Sequence, residues 1–192
     1  MWVKICGVTG TEALAAALAA GVDAVGFVFA PSVRRLDPAQ AARLAAPARG
    51  RVELIAVTLH PSQVLIDEIL LEFRPDALQS DVADFDRLRL PATLSRLPVL
   101  RAELASGRQL PARLLFEGAV SGTATMGDWD QATLLARRSN LILAGGLDAR
   151  NVAAAIGAVR PYGVDVSSGV EHTPGQKSPE LIMQFVRAAR GH

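Results

Sequence analysis

Cys6 is the only cysteine in the chain, and it closes a short apolar run, residues 2–6, that Gly7 stops. A thiol at the end of a strand is either a small buried side chain or, once ionised, a base able to take a proton. Lys4 lies two residues earlier and so projects to the same face of a strand. Its charge can favour the thiolate, and it can also pair with Asp165; the two roles are compatible. Glu117 is the matching acid candidate. It follows Leu114-Leu115-Phe116, a setting that would bury its carboxyl and favour the protonated form, the alternative being a solvated carboxylate beside Gly118. A proton-holding acid facing a proton-taking thiolate suits an isomerisation.

Other residues suit ligand binding. Arg34 and Arg35 each offer a fork for a substrate carboxylate, and spacing does not decide which of them points inward. Gly145-Gly146 and Ser167-Ser168-Gly169 are small turns that expose backbone amides, as phosphate sites require; Gly145-Gly146 alone would equally serve as a sharp turn. The histidines, His60, His172 and His192, are too dispersed to suggest a zinc site, and a single cysteine excludes an intramolecular disulfide.

These groups meet only if the elements between them bring them together. Apolar runs at 2–6, 23–29, 52–58, 76–79, 97–101, 113–117, 141–144 and 162–166 read as strands. Helical signals fall between most of them. Thr11 reads as an N-cap with Glu12 in the first turn, Asp37-Pro38 opens a second helix, and 61–71 forms a third. A weak helix runs to Leu88, 129–138 is helical, and Asp148 caps a helix over 148–156. Ser178-Pro179-Glu180 opens the last, to Arg190. Val-, Ile- and Leu-rich strands alternating with helices imply parallel pairing with both faces covered. Eight strands favour a single α/β domain over 1–192, a closed (β/α)₈ TIM barrel, over an open sheet. About 250 residues is typical for that barrel, so loops must be short and the fifth helix, around 102–110, degenerate. Such a barrel gathers the strand ends at one face, and the turns after strands seven and eight are where it commonly binds phosphate.

Composition agrees. Half the residues are apolar and 20% are charged, with 20 Lys and Arg against 19 Asp and Glu. The scattered charges, net +1, give no polyanion surface, so no nucleic-acid partner is expected. The apolar stretch 13–30 is broken by Asp23 and two glycines, short of the roughly 20 residues of a membrane span. No basic start runs into it as in a secretory signal, so a cytoplasmic protein is expected.

Several blocks carry a specific likeness. Lys4-Ile5-Cys6-Gly7-Val8-Thr9, Val25-Gly26-Phe27-Val28-Phe29 with Pro31-Ser32 and Arg35, Ala144-Gly145-Gly146-Leu147, Val164-Asp165-Val166-Ser167-Ser168-Gly169-Val170-Glu171 and Pro174-Gly175-Gln176-Lys177-Ser178 closely resemble the phosphoribosylanthranilate isomerase family. The resemblance implies a step of tryptophan biosynthesis: the Amadori rearrangement of N-(5'-phosphoribosyl)anthranilate to 1-(2-carboxyphenylamino)-1-deoxyribulose 5-phosphate, with no cofactor and no metal. It implies Cys6 as general base and Arg35 as the ligand of the anthranilate carboxylate. Gln79 and Asp165 carry over as substrate-binding residues, and Gly145, Gly146, Ser167, Ser168 and Gly169 as the phosphate turns. The family's general acid is an aspartate ending strand six, a position that holds Glu117 here. Its Gln-Leu-His-Gly after strand four reads Gln79-Ser80-Asp81-Val82. A bifunctional relative serving histidine biosynthesis as well would place an aspartate where this chain has Cys6. The expected partner is a small phosphorylated substrate, with the chain a monomer or a homodimer.

Overall fold

In a computed structural model of the chain, residues 1–101, 109–117 and 126–191 are described. Eight parallel strands close into a barrel in chain order: β1 (Trp2–Cys6), β2 (Ala24–Val28), β3 (Glu53–Val57), β4 (Ala77–Asp81), β5 (Ser95–Leu100), β6 (Arg113–Glu117), β7 (Asn140–Ala144) and β8 (Gly163–Val166). Closure sets Lys4 opposite Asp165 and Ile5 opposite Val166. The helices outside it are α1 (Thr11–Ala19), α2 (Pro38–Ala45), α3 (Gln63–Glu68), α4 (Met126–Ala136), α5 (Val152–Val159) and α6 (Pro179–Arg190). None among the described residues is long and apolar enough to cross a membrane.

Strand alternation sorts the side chains into two cores. Outward residues such as Val3, Ile5, Leu54, Leu114, Phe116 and Leu143 pack under the helices. Inward residues, among them Ala24, Ile55, Ala77, Leu97, Leu115 and Ile142, fill the barrel. At the bottom Arg113 lies 4.7 Å over the Trp2 ring and holds Glu53 through two 2.8 Å contacts.

Some element ends follow the sequence reading and others correct it. Asp37 accepts from the Gln40 amide while Gln40 returns a bond to the Asp37 N–H, and Ser178 caps α6 before Pro179. Thr11 is not a cap: Gly10 takes the extended cap conformation, and Thr11 is already helical. Asp148 does not cap a helix either. Its carboxylate accepts from the amides of Arg150 and Asn151, forming a local turn, and α5 begins only after Asn151. The link from β4 to β5 carries a single turn of tight helix, Val82–Asp86. The fifth helix expected at 102–110 falls largely outside the described residues.

Candidate active site

The strand ends open onto a cavity of 340 Å³. Cys6, Gln79, Glu117, Gly145, Gly146, Asp165, Ser167 and Ser168 all line it, so residues up to 162 positions apart in the chain share one chamber. Gly169 directly follows the lining residue Ser168 and is not itself one of them. Arg35 is not in it. A larger cavity of 590 Å³ lies against the starts of β5 and β6, near Arg96 and Arg113, and holds none of the candidate residues.

On the β1 wall, Lys4 is fully buried and its Nζ lies 2.8 Å from Asp165 Oδ1, across the register that closes the barrel. Gly26 on β2 makes room for this arrangement: a Cβ there would come within 3.0 Å of Lys4 Cε and 3.2 Å of Cys6 Sγ. Burial works against the Lys4 charge, but Asp165 and Cys6 outweigh it and hold the ammonium above its ordinary range. Burial is also the largest influence on Cys6. It pushes the thiol up, and the pull of Lys4 and Lys177 toward the thiolate does not offset it. The sequence points to the Lys4 effect, but not to the cost of burying the thiolate, which exceeds it.

A buried ionic cluster braces the far side of Cys6. A short hairpin after β8, β9 (Glu171–Thr173) with β10 (Gln176–Lys177), presents Glu171 and Lys177. Arg34 grips Glu171 with its fork, Nε at 2.7 Å and Nη2 at 2.6 Å. Lys177 Nζ contacts Glu171 at 2.6 Å and donates to the Ser167 carbonyl at 3.0 Å, and Ser167 Oγ donates to the Cys6 carbonyl at 3.1 Å. Burial alone would raise the Glu171 carboxyl; the bonds from Arg34 and Lys177 outweigh it and hold it at about 2. Burial lowers Lys177. Neither Glu171 nor Lys177 has a role in the sequence reading, although both lie inside the blocks quoted for the resemblance.

The same contact separates the two arginines. Arg34 lines the cavity with its guanidinium committed to Glu171, whereas Arg35 is exposed at the rim.

Glu117 is placed differently from the dry setting its neighbours suggest. Leu114 and Phe116 point outward under the helices, so only Leu115 shares its face. Glu117 Oε2 lies 2.6 Å from Arg101 Nη1, and Arg101 Nε lies 3.1 Å from Asp81 Oδ1. Arg101 also lines the cavity. Sequence reasoning passed over it, although it directly follows β5, where every strand end is a candidate in this fold.

Opposite these side chains the wall is backbone. Gly145 and Gly146 have φ of +90° and +61°, open to glycine at little cost. Asn151 Nδ2 holds the Gly146 carbonyl at 2.8 Å. A Cβ on Gly169 would lie 1.9 Å from the Leu147 carbonyl oxygen, so the turns after β7 and β8 touch backbone to backbone. Between the two walls Gln79 is buried, and its Oε1 has no hydrogen-bond partner among the described residues. Gln79 lines the cavity, and a buried acceptor left without a partner calls for one. Among the described residues no group of three His, Cys, Asp or Glu side chains is placed to share a metal ion.

Comparisons with known proteins bear on the family and the fold. The family model described as N-(5'-phosphoribosyl)anthranilate (PRA) isomerase matches residues 3–188. A relative of that name from Afipia carboxidovorans is 40% identical over 98% of this chain and 88% of its own. The phosphoribosyl anthranilate isomerase structure from Thermotoga maritima superposes with a TM-score of 0.84 at 29% identity, covering 100% of both chains. A structure of phosphoribosyl anthranilate isomerase in complex with reduced 1-(o-carboxyphenylamino)-1-deoxyribulose 5-phosphate matches equally, at 0.84 and 29% over 100% of both chains. TrpF from Jonesia denitrificans reaches 0.81 at 33% identity, over 100% of this chain and 97% of its own.

Proposed function

This chain belongs to the N-(5'-phosphoribosyl)anthranilate isomerase family and is an isomerase of tryptophan biosynthesis; from that premise we propose that Cys6 and Glu117 are its base and acid. The observation that carries the assignment is that both side chains line one 340 Å³ cavity whose facing wall is the pair of glycine turns. Substrate phosphate docks on the amides around Gly145-Gly146 and Ser167-Ser168-Gly169. Glu117 gives its proton to the furanose ring oxygen, and the ring opens to an iminium at C1'. Cys6, as thiolate, takes the proton from C2' to leave an enolamine. Return of a proton to C1' and loss of the C2' hydroxyl proton complete the ketone and reset both groups. The cations Lys4 and Lys177 lower the cost of forming the thiolate in a buried site.

Gln79 Oε1 accepts from a substrate N–H or hydroxyl, and Asp165, fixed by Lys4, bounds the pocket beside it. Arg35 takes the anthranilate carboxylate. Its neighbour Arg34 already carries a carboxylate, so Arg35 is the guanidinium of the pair left to answer a second one. The chain acts on its small phosphorylated substrate as a monomer or a homodimer, in the cytoplasm.

Kinetics of Cys6→Ser and Glu117→Gln test the roles. Each is expected to lose at least about 100-fold in kcat while binding of the reduced product analogue changes by less than about threefold. Near-normal turnover in either variant removes that residue from its role.

A further inference from the structure

The two stretches in which this chain departs from the family pattern, Ser80-Asp81-Val82 and Glu117, meet through Asp81 and Glu117 on one side chain. Arg101 reaches Glu117 Oε2 with Nη1 at 2.6 Å and Asp81 Oδ1 with Nε at 3.1 Å. The three come from the ends of neighbouring strands: Asp81 closes β4, Arg101 follows β5 and Glu117 closes β6. β4 and β5 are paired with Asp81 opposite Val99, and β5 and β6 with Leu100 opposite Phe116. The charged groups therefore sit side by side along the rim as a direct result of strand register. They are partly shielded, with side-chain exposures of 20% for Asp81, 36% for Arg101 and 19% for Glu117. Arg101 and Glu117 line the cavity; Asp81 stands behind them and also lies 3.7 Å from His60 Nε2.

Resting on the acid role of Glu117, we infer that Arg101 is a positioning residue for the acid, with Asp81 as its anchor. A glutamate has one more side-chain torsion than an aspartate, and a carboxyl free to swing at a strand end is a poor proton donor to a fixed ring oxygen. The guanidinium is planar and rigid. Tied at Nε by Asp81, it presents Nη1 at a set point and pins one oxygen of the Glu117 carboxyl there. It also favours the direction of proton flow. When Glu117 gives its proton to the ring oxygen it becomes a carboxylate, and its contact with Arg101 becomes a full charge-assisted pair at that moment. The stabilisation is greatest as the ring opens, so its removal acts on kcat rather than on substrate binding.

The test combines Arg101→Gln, Arg101→Lys and Asp81→Asn with Glu117→Gln, each checked for an unchanged thermal midpoint. Arg101→Gln is expected to lower kcat about 10- to 100-fold with KM changed by less than about threefold. Arg101→Lys, which keeps the charge but loses the fork, is expected to recover part of that loss. Asp81→Asn is expected to cost less than Arg101→Gln, because the guanidinium remains. In the Glu117→Gln background, removing Arg101 is expected to cost nothing further. Unchanged kcat in Arg101→Gln, a rise in KM at constant kcat, or the same fold-loss in the Glu117→Gln background would each overturn the inference. Should Arg101→Gln fold poorly, the Arg101→Lys kcat and its dependence on Glu117 decide alone. Failure of the acid assignment itself reads differently, as full turnover by Glu117→Gln with Arg101 intact.

Discussion

Replacing Gly169 with alanine should damage the protein far beyond the addition of one methyl group. The added Cβ would sit 1.9 Å from the Leu147 carbonyl oxygen, and real Cβ atoms essentially never approach within 3.0 Å. The obstacle is backbone, so no side chain can swing away, and the turn after β7 or the turn after β8 must retreat by about 1 Å or more. Overpacking of this kind costs about 1–3 kcal/mol, and at about 2–4 °C per kcal/mol for a chain of this size the melting midpoint should fall by about 2–12 °C. The displaced turns are the proposed phosphate cradle, so KM should rise about 10- to 100-fold. Gly157→Ala is the control. Gly157 lies within α5, and a Cβ there meets nothing within 4 Å. There the same substitution removes a flexible residue from a helix and should add about 0.5–1 kcal/mol without touching KM. Thermal melts and steady-state kinetics on the pair suffice. A Gly169→Ala protein with native midpoint and native KM would refute the close approach of the two turns and the phosphate site built on it.

Other consequences follow from the charges. Burial raises the Cys6 thiol, so the rate of its alkylation by iodoacetamide should still be rising with pH at the ordinary value of 9.0; a plateau reached near neutrality would contradict the buried setting. Arg35→Ala should raise KM at least about tenfold with little change in kcat, and an unchanged KM would release Arg35 from its role. Glu171→Gln strands the buried Lys177 ammonium beside Arg34 and should destabilise the fold by about 3–5 kcal/mol in urea titrations. Glu171 sits at about 2 when folded against an ordinary 4.5, so its stabilisation is complete above about 4.5 and is lost as pH falls through about 2. The stability gap between wild type and Glu171→Gln should therefore narrow on acidification, and a gap constant over that window would refute the linkage.

Local chemistry was readable where one residue decides it. β1, β6 and α6 have the bounds expected from apolar runs, from Gly7, and from Ser178 before Pro179. Barrel closure predicted the Lys4–Asp165 pair, because strands one and eight must be neighbours. Thr11 misled by one position, since Gly10 holds the extended cap conformation and Thr11 is the first helical residue. Asp148 misled because capping residues also build turns: the same carboxylate that could start a helix there closes a loop instead. The candidate site was legible as a set of strand ends, but its electrostatics were not. Which arginine meets Glu171 depends on a hairpin too short to show in a hydrophobic pattern, and the side-chain direction of Arg101 depends on its anchor at Asp81. The burial of Cys6 is a property of the closed barrel, and no neighbour in sequence reports it.

The central claim is that this barrel mouth isomerises N-(5'-phosphoribosyl)anthranilate with Glu117 in place of an aspartate acid. The most direct measurement follows the fluorescence of that compound, generated in situ, after adding the purified protein beside its Glu117→Gln variant. Rapid loss of signal with the wild type and little with the variant is the predicted result. Equal rates with the two proteins would contradict the acid assignment, and no loss with either would contradict the reaction itself.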